Sequence, residues 1–173
     1  MDMFFIIPGR FQPWHKGHDR LLGLAFKLAN PNDHVIVDVV YPPNRKRDLR
    51  NPFTLKTTVN LIERAVWGLN VDVVVTKTAW PGLVLDEIGY DPEQMIDQVV
   101  VVAGDDRSSY KSFERYGIEV IQERRANLDA SGTQVRQAIL EGDIAEYKRL
   151  VPSRLRSRPI FDHLRKELLE VVQ

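Results

Sequence analysis

The chain has 173 residues, of which 43% are hydrophobic and 28% charged, a balance that suits one packed domain and excludes a disordered or fibrous chain. Lysine plus arginine and aspartate plus glutamate both number 24, so no global charge draws the protein to nucleic acid or to an anionic membrane. There is no cysteine, which excludes disulfides, thiolate metal sites and a cysteine nucleophile.

The first predicted element is a buried strand over Met3–Ile7. Its apolar run is too short for a signal peptide, and Pro8-Gly9-Arg10 ends it. No segment reaches the ~18 continuous apolar residues of a membrane span. A cytoplasmic location is therefore expected. A helix is predicted over Lys16–Leu28, with Leu21, Leu22, Leu24, Ala25 and Leu28 on its apolar side. Asn30-Pro31-Asn32-Asp33 is a turn, and His34–Val40 is the second strand. Tyr41–Pro52 is a loop carrying Arg45, Lys46, Arg47 and Arg50.

Thr54–Trp67 is a predicted helix with Thr54 as N-cap, and Val71–Thr76 is the third strand. Ala79–Gly89 reads as part loop, part helix. Gln98–Ala103 is the fourth strand, Ser108–Tyr116 a helix and Ile118–Gln122 the fifth strand. Thr133–Leu140 is a short helix closed by Glu141-Gly142, and Asp143–Leu150 and Pro159–Val172 are C-terminal helices. Apolar strands alternating with helices imply an α/β fold: a doubly wound, Rossmann-like parallel sheet of five strands, with helices on both faces and a helical tail. One domain is expected over residues 1–173, with the α/β core over 1–155 and a C-terminal helix over 156–173. Such sheets bind ligands beyond the C-terminal ends of their strands.

Gly9–His18, "GRFQPWHKGH", lies at that place. His15 and His18 are three apart, so a helix start sets both imidazoles on one side. Gly17 leaves the backbone open to a bulky ligand. The helix N-terminus supplies N–H donors and partial positive charge, and Arg10 adds a forked cation. These parts favour a polyphosphate. A metal site is the rival reading, although no third ligand stands near the pair. Asp129–Asp143, "DASGTQVRQAILEGD", repeats the logic. Ser131 or Thr133 caps a helix, and Arg136 follows in its first turn, which makes either a phosphate site or a capped helix with a solvated arginine.

"PWHKGH" resembles the H-x-G-H motif of the nucleotidyltransferase superfamily related to class I aminoacyl-tRNA synthetases. "SGTQVR" is similar to the [ST]-x-[ST]-x-x-R signature that accompanies it. "GRFQPWHKGH", "RNPFT" (Arg50–Thr54) and "DDRSSY" (from Asp105) look like nicotinamide mononucleotide (NMN) adenylyltransferases of the archaeal and Nudix-fused types. In that branch Glu-Arg usually follows N-P-F-T. Here Leu55-Lys56-Thr57-Thr58 follows, which leaves Lys56 or a loop arginine to replace the missing cation.

The resemblance implies transfer of AMP from ATP to NMN, giving NAD and pyrophosphate. It implies His15, His18, Arg10 and Arg136 as catalytic residues. Gly9, Phe11, Gly17, Ser131, Gly132 and Thr133 join these four around ATP. Arg50, Asn51, Trp80, Asp105, Asp106 and Arg107 are the candidates for the acceptor. Mg2+ is expected to arrive with ATP, with no metal held by the protein itself. ATP and NMN are the expected partners, in a homo-oligomer that binds neither nucleic acid nor membrane. Two alternatives use the same residues: transfer to another phosphorylated acceptor, and a nucleotide-binding regulatory module without turnover.

Overall fold

The computed structural model describes residues 1–104, 108–124 and 130–172. The chain falls into two compact units. The first holds Met1–Gly9, Arg20–Pro43 and Asn70–Leu128, and the second Arg10–Asp19, Asn44–Leu69 and Asp129–Gln173.

The first unit carries a parallel five-stranded sheet in the order β3-β2-β1-β4-β5. Its strands are β1 (Phe4–Gly9), β2 (His34–Val40), β3 (Asp72–Thr76), β4 (Val99–Gly104) and β5 (Glu119–Glu123). The order climbs from β1 to β3 on one side and from β4 to β5 on the other. That reversal is the doubly wound topology expected from the sequence, and its switch point lies between β1 and β4. β1 starts one residue later than expected and ends two residues later, through Pro8 and Gly9. A proline is tolerated there because β1 pairs with β4 only from Phe4 to Ile6, so no ladder bond is lost on that side. On its other side β1 stays in register with β2 as far as Gly9 and Val39.

One face of the sheet presents Phe4, Ile6, Ile36, Val74, Val99, Val101 and Val120, packed with Val84 and Leu85. The last two lie on α3 (Pro81–Glu87), which resolves the mixed reading of Ala79–Gly89 into a helix with proline in its first turn. A one-turn helix, α4 (Pro92–Met95), follows, too short to leave a period in the sequence. Ser108–Tyr116 is a 3-10 helix rather than an α-helix. Tyr110, Phe113 and Tyr116 explain this: they recur every third residue, the 3-10 period, and the Tyr110 and Phe113 rings stack at 5.8 Å.

The second unit contains α2 (Leu55–Ala65), α5 (Gly132–Glu141), α6 (Ile144–Leu150) and α7 (Arg158–Val172). Thr54 caps α2 as expected, accepting from the Thr57 N–H. α5 has Ser131 as N-cap and ends on Gly142, whose φ of +72° favours glycine. The interior of this second unit includes Tyr147 of α6, whose hydroxyl donates to the Leu155 carbonyl at 2.6 Å and whose ring meets Phe161 edge-on. α7 is fastened by Glu167, a carboxylate only 6% exposed. Glu167 accepts from the Thr54 N–H at 2.9 Å, the Thr57 hydroxyl at 2.5 Å and His163 Nε2 at 2.6 Å. α1 (Lys16–Leu28) takes its first turn from the second unit and the rest from the first. Leu21, Leu22 and Ala25 are buried, but Leu28, expected on the apolar side, is 42% exposed. Among the described residues no helix is long and apolar enough to cross a membrane.

Candidate active site

The ten residues after Gly9, Arg10–Asp19, all belong to the second unit. His15 occupies the N-cap position of α1, its carbonyl accepting from the His18 and Asp19 N–H groups. Its own N–H donates to His18 Nδ1 at 3.1 Å, and the Gly17 N–H donates to His15 Nδ1 at 3.0 Å. The pair thus forms a capping box built from imidazoles, which gives the three-residue spacing a structural reason. The rings stack at 3.8 Å between centroids, with Phe11 edge-on to His18 at 4.8 Å and Trp14 tilted against it at 5.2 Å. Trp14 is fully buried and donates from Nε1 to Asp19 at 2.7 Å. Burial raises the Asp19 carboxyl above its usual value, with the Trp14 bond and the Arg154 charge working against the rise.

The two caps fix the tautomers. Each Nδ1 accepts a backbone N–H, so the proton of a neutral ring sits on Nε2. Both Nε2 atoms are then donors, suited to phosphate oxygens. A protonated Nε2 has no lone pair to give a metal. Among the described residues no three His, Asp or Glu side chains gather into a metal cage.

The structure also changes two details. The Gly17 N–H, expected to be open to a ligand at the helix N-terminus, is taken by His15. The need for glycine at 17 is intramolecular: a Cβ there would stand 2.7 Å from His15 Cε1 and 3.0 Å from the Ala130 carbonyl oxygen. The first motif therefore touches the chain that opens the second. Phe11 has φ +52°, a left-handed conformation that costs a non-glycine residue roughly 1–3 kcal/mol and is found at functional sites.

In the second motif Ser131 and Gln134 form a full capping box, so the Ser131 hydroxyl holds the helix. Arg136 is half-buried. It donates from Nη1 to the Gln12 carbonyl at 2.8 Å and from Nη2 to Thr133 Oγ1 at 3.3 Å. Burial lowers its pKa, and the Arg10 and Arg50 charges lower it further, with Asp48 opposing. Arg10 donates to Asn51 Oδ1 at 3.2 Å. Arg10, Arg50, Asn51, Thr133, Arg136 and the His15–His18 pair therefore share one unit, and there the charges of Arg10 and Arg50 both act on the Arg136 guanidinium. An anion placed among these groups would relieve the repulsion.

Of the candidate replacement cations, Arg50 acts on Arg136 through its charge, and Lys56 is exposed on the first turn of α2. Arg47 is not available in the same way. It is bonded to the Pro52 and Glu167 carbonyls and to the Glu170 carboxylate, tying the basic loop to α7. Trp80 belongs to the first unit, where the Phe113 and Tyr116 rings meet it edge-on at 5.7 and 5.2 Å. Gly9 closes β1 and is buried. Gly132 opens α5 against the Arg136 side chain. Asp105, Asp106 and Arg107 lie outside the described residues.

Two residues escaped the sequence reading. Gln12 is 4% exposed and bonds to Phe53 and Thr58. Its position inside "GRFQP" was the available signal. Asp38 is completely buried in β2, and the lone acid in "HVIVDVV" was the signal for it.

A family model described as cytidylyltransferase-like matches residues 6–138. The chain belongs to this family of nucleotidyltransferases. It is 26% identical over 159 residues to a nicotinamide-nucleotide adenylyltransferase of Archaeoglobus fulgidus, covering 88% of this chain and 86% of that one. It is 27% identical over 151 residues to the Pyrococcus furiosus protein of the same name, covering 83% and 76%. The fold matches a bifunctional NMN adenylyltransferase/ADP ribose pyrophosphatase of Francisella tularensis with a TM-score of 0.66 at 20% identity. That match covers 99% of this chain and 52% of the Francisella chain, so this protein spans about half the length of that structure.

Proposed function

We propose that the protein transfers AMP from ATP to NMN, releasing pyrophosphate and forming NAD. The observation that carries this is the cluster of Arg10, Arg50 and Arg136 in one unit with two imidazoles whose Nδ1 atoms are capped by backbone N–H groups. The archaeal relatives, named nicotinamide-nucleotide adenylyltransferases, support the choice of acceptor.

The reaction needs no covalent enzyme intermediate. The 5′-phosphate of NMN is already a nucleophile. One of its oxygens bonds to the α-phosphorus in line, the α-to-β bridging bond breaks, and its electron pair leaves on pyrophosphate. The protein's tasks are to position the reactants and to stabilise the growing negative charge. His15 and His18 donate to the leaving group from Nε2. Arg136 and Thr133 hold the β- and γ-phosphates. Arg10 and Arg50 lie between two anions that would otherwise repel as they approach. A divalent ion, expected to be magnesium, enters as part of the ATP substrate and offsets charge on its phosphates. The Francisella structure was solved with AMP and a manganese ion.

The test is pyrophosphate release from ATP and magnesium with NMN, phosphopantetheine, FMN and glycerol phosphate as acceptors. Release with NMN supports the reading. Nucleotide binding with no release from any acceptor favours a regulatory module.

A further inference from the structure

We propose that Gln12 is a positioning residue that sets the spacing of the three arginines, an inference that rests on the function proposed above. A carboxamide in one plane can donate to a peptide carbonyl and accept from a peptide N–H. Gln12 does both to a single residue. The Phe53 N–H donates to its Oε1 at 2.9 Å, and its Nε2 donates to the Phe53 carbonyl at 3.3 Å. Nε2 also donates to Thr58 Oγ1 at 3.2 Å. Phe53 is fully buried, so these bonds pair its main-chain N–H and carbonyl inside the protein, where unpaired polar groups are costly.

The clamp reaches all three cations. Arg10 lies two residues before Gln12 and bonds to Asn51, two residues before Phe53. Arg50 is the next residue upstream. The main-chain oxygen of Gln12 takes the Arg136 guanidinium. One residue is thus bonded by its side chain to the segment that carries Arg50 and by its backbone to Arg136. Like charges held together need such a fixture, since nothing in their mutual interaction keeps them close.

The test is calorimetric titration with inorganic pyrophosphate, which needs no turnover, on the parent, Gln12→Met, Arg136→Ala and the double variant. Gln12→Met keeps the length of the side chain and removes its hydrogen bonds. It should weaken pyrophosphate about tenfold or more, as should Arg136→Ala. The double variant should bind no more than about threefold more weakly than Arg136→Ala alone, because residues that act through one another are not additive. A destabilised fold with intact arginine spacing would instead leave pyrophosphate affinity unchanged below the melting transition. Parent-like affinity in Gln12→Met, or fully additive losses in the double variant, overturns the inference alone. Parent-like affinity in Arg136→Ala overturns the anion site and the proposed function with it. Should Gln12→Met not fold, Thr58→Val removes one partner of the clamp and is expected to weaken pyrophosphate by about threefold. Unchanged affinity there contradicts the proposal.

Discussion

The Arg136 guanidinium donates to the main-chain oxygen of Gln12 at 2.8 Å, which fastens the helix of the second motif to the loop of the first. A second nitrogen of the same fork reaches Thr133. Lysine has the charge but not the fork. Arg136→Lys is therefore expected to weaken ATP by roughly tenfold or more while AMP, which lacks the β- and γ-phosphates, changes little. Titration with both nucleotides checks this. Equal affinities for parent and variant would reduce the second motif to a capped helix.

The imidazole capping box separates structure from chemistry. His15→Asn keeps a short side-chain acceptor for the Gly17 N–H but loses the Nε2 donor. It should hold the parent's melting temperature within a few degrees and lower kcat by roughly 10²–10³-fold, the usual loss for one preorganised donor. His15→Ala loses both, so it should also be less stable by about 1 kcal/mol and melt at a lower temperature. A kcat within a few-fold of the parent in both variants removes His15 from the chemistry.

Asp38 predicts a pH dependence of stability. Thr76 Oγ1 stands 2.6 Å from Asp38 Oδ1 and 2.8 Å from the Thr78 carbonyl. Oδ2 is buried with no partner, and burial pushes the group from its ordinary 3.8 up to about 7, against the pull of the Thr76 bond. The folded chain thus holds this proton more tightly than the unfolded one. The contribution is complete below about pH 4 and is lost as pH rises to about 7, roughly 4 kcal/mol in all. Asp38→Asn cannot ionise, so it should raise the melting temperature at pH 8 and lose that advantage by pH 4. The same shift at both pH values contradicts the assignment.

What the sequence made legible follows from period and punctuation. The apolar runs of β1, β2 and β4 are buried on both faces, so they stand out without alternation. Thr54, Ser131 and Gly142 mark helix ends by chemistry that acts within four residues. The rest depends on distant partners. Arg47 looks like any loop cation until its bonds to α7 appear. Gly17 reads as room for a ligand, but the space beside it is filled by the His15 ring and the Ala130 carbonyl. Residues 156–173 are legible as a helix, but not what the helix is for. There the signal was Glu167, an acid between Leu164 and Leu168 that faces the N-terminus of α2 across 113 residues of chain.

The most direct measurement is the rate of pyrophosphate release with each phosphorylated acceptor at saturating MgATP. NMN is expected to exceed phosphopantetheine, FMN and glycerol phosphate in kcat/KM by about 100-fold or more, since a site that pairs a substrate's polar groups rejects analogues lacking them by such factors. Faster turnover of any other acceptor than of NMN, or ATP binding without pyrophosphate release, contradicts adenylyl transfer to NMN.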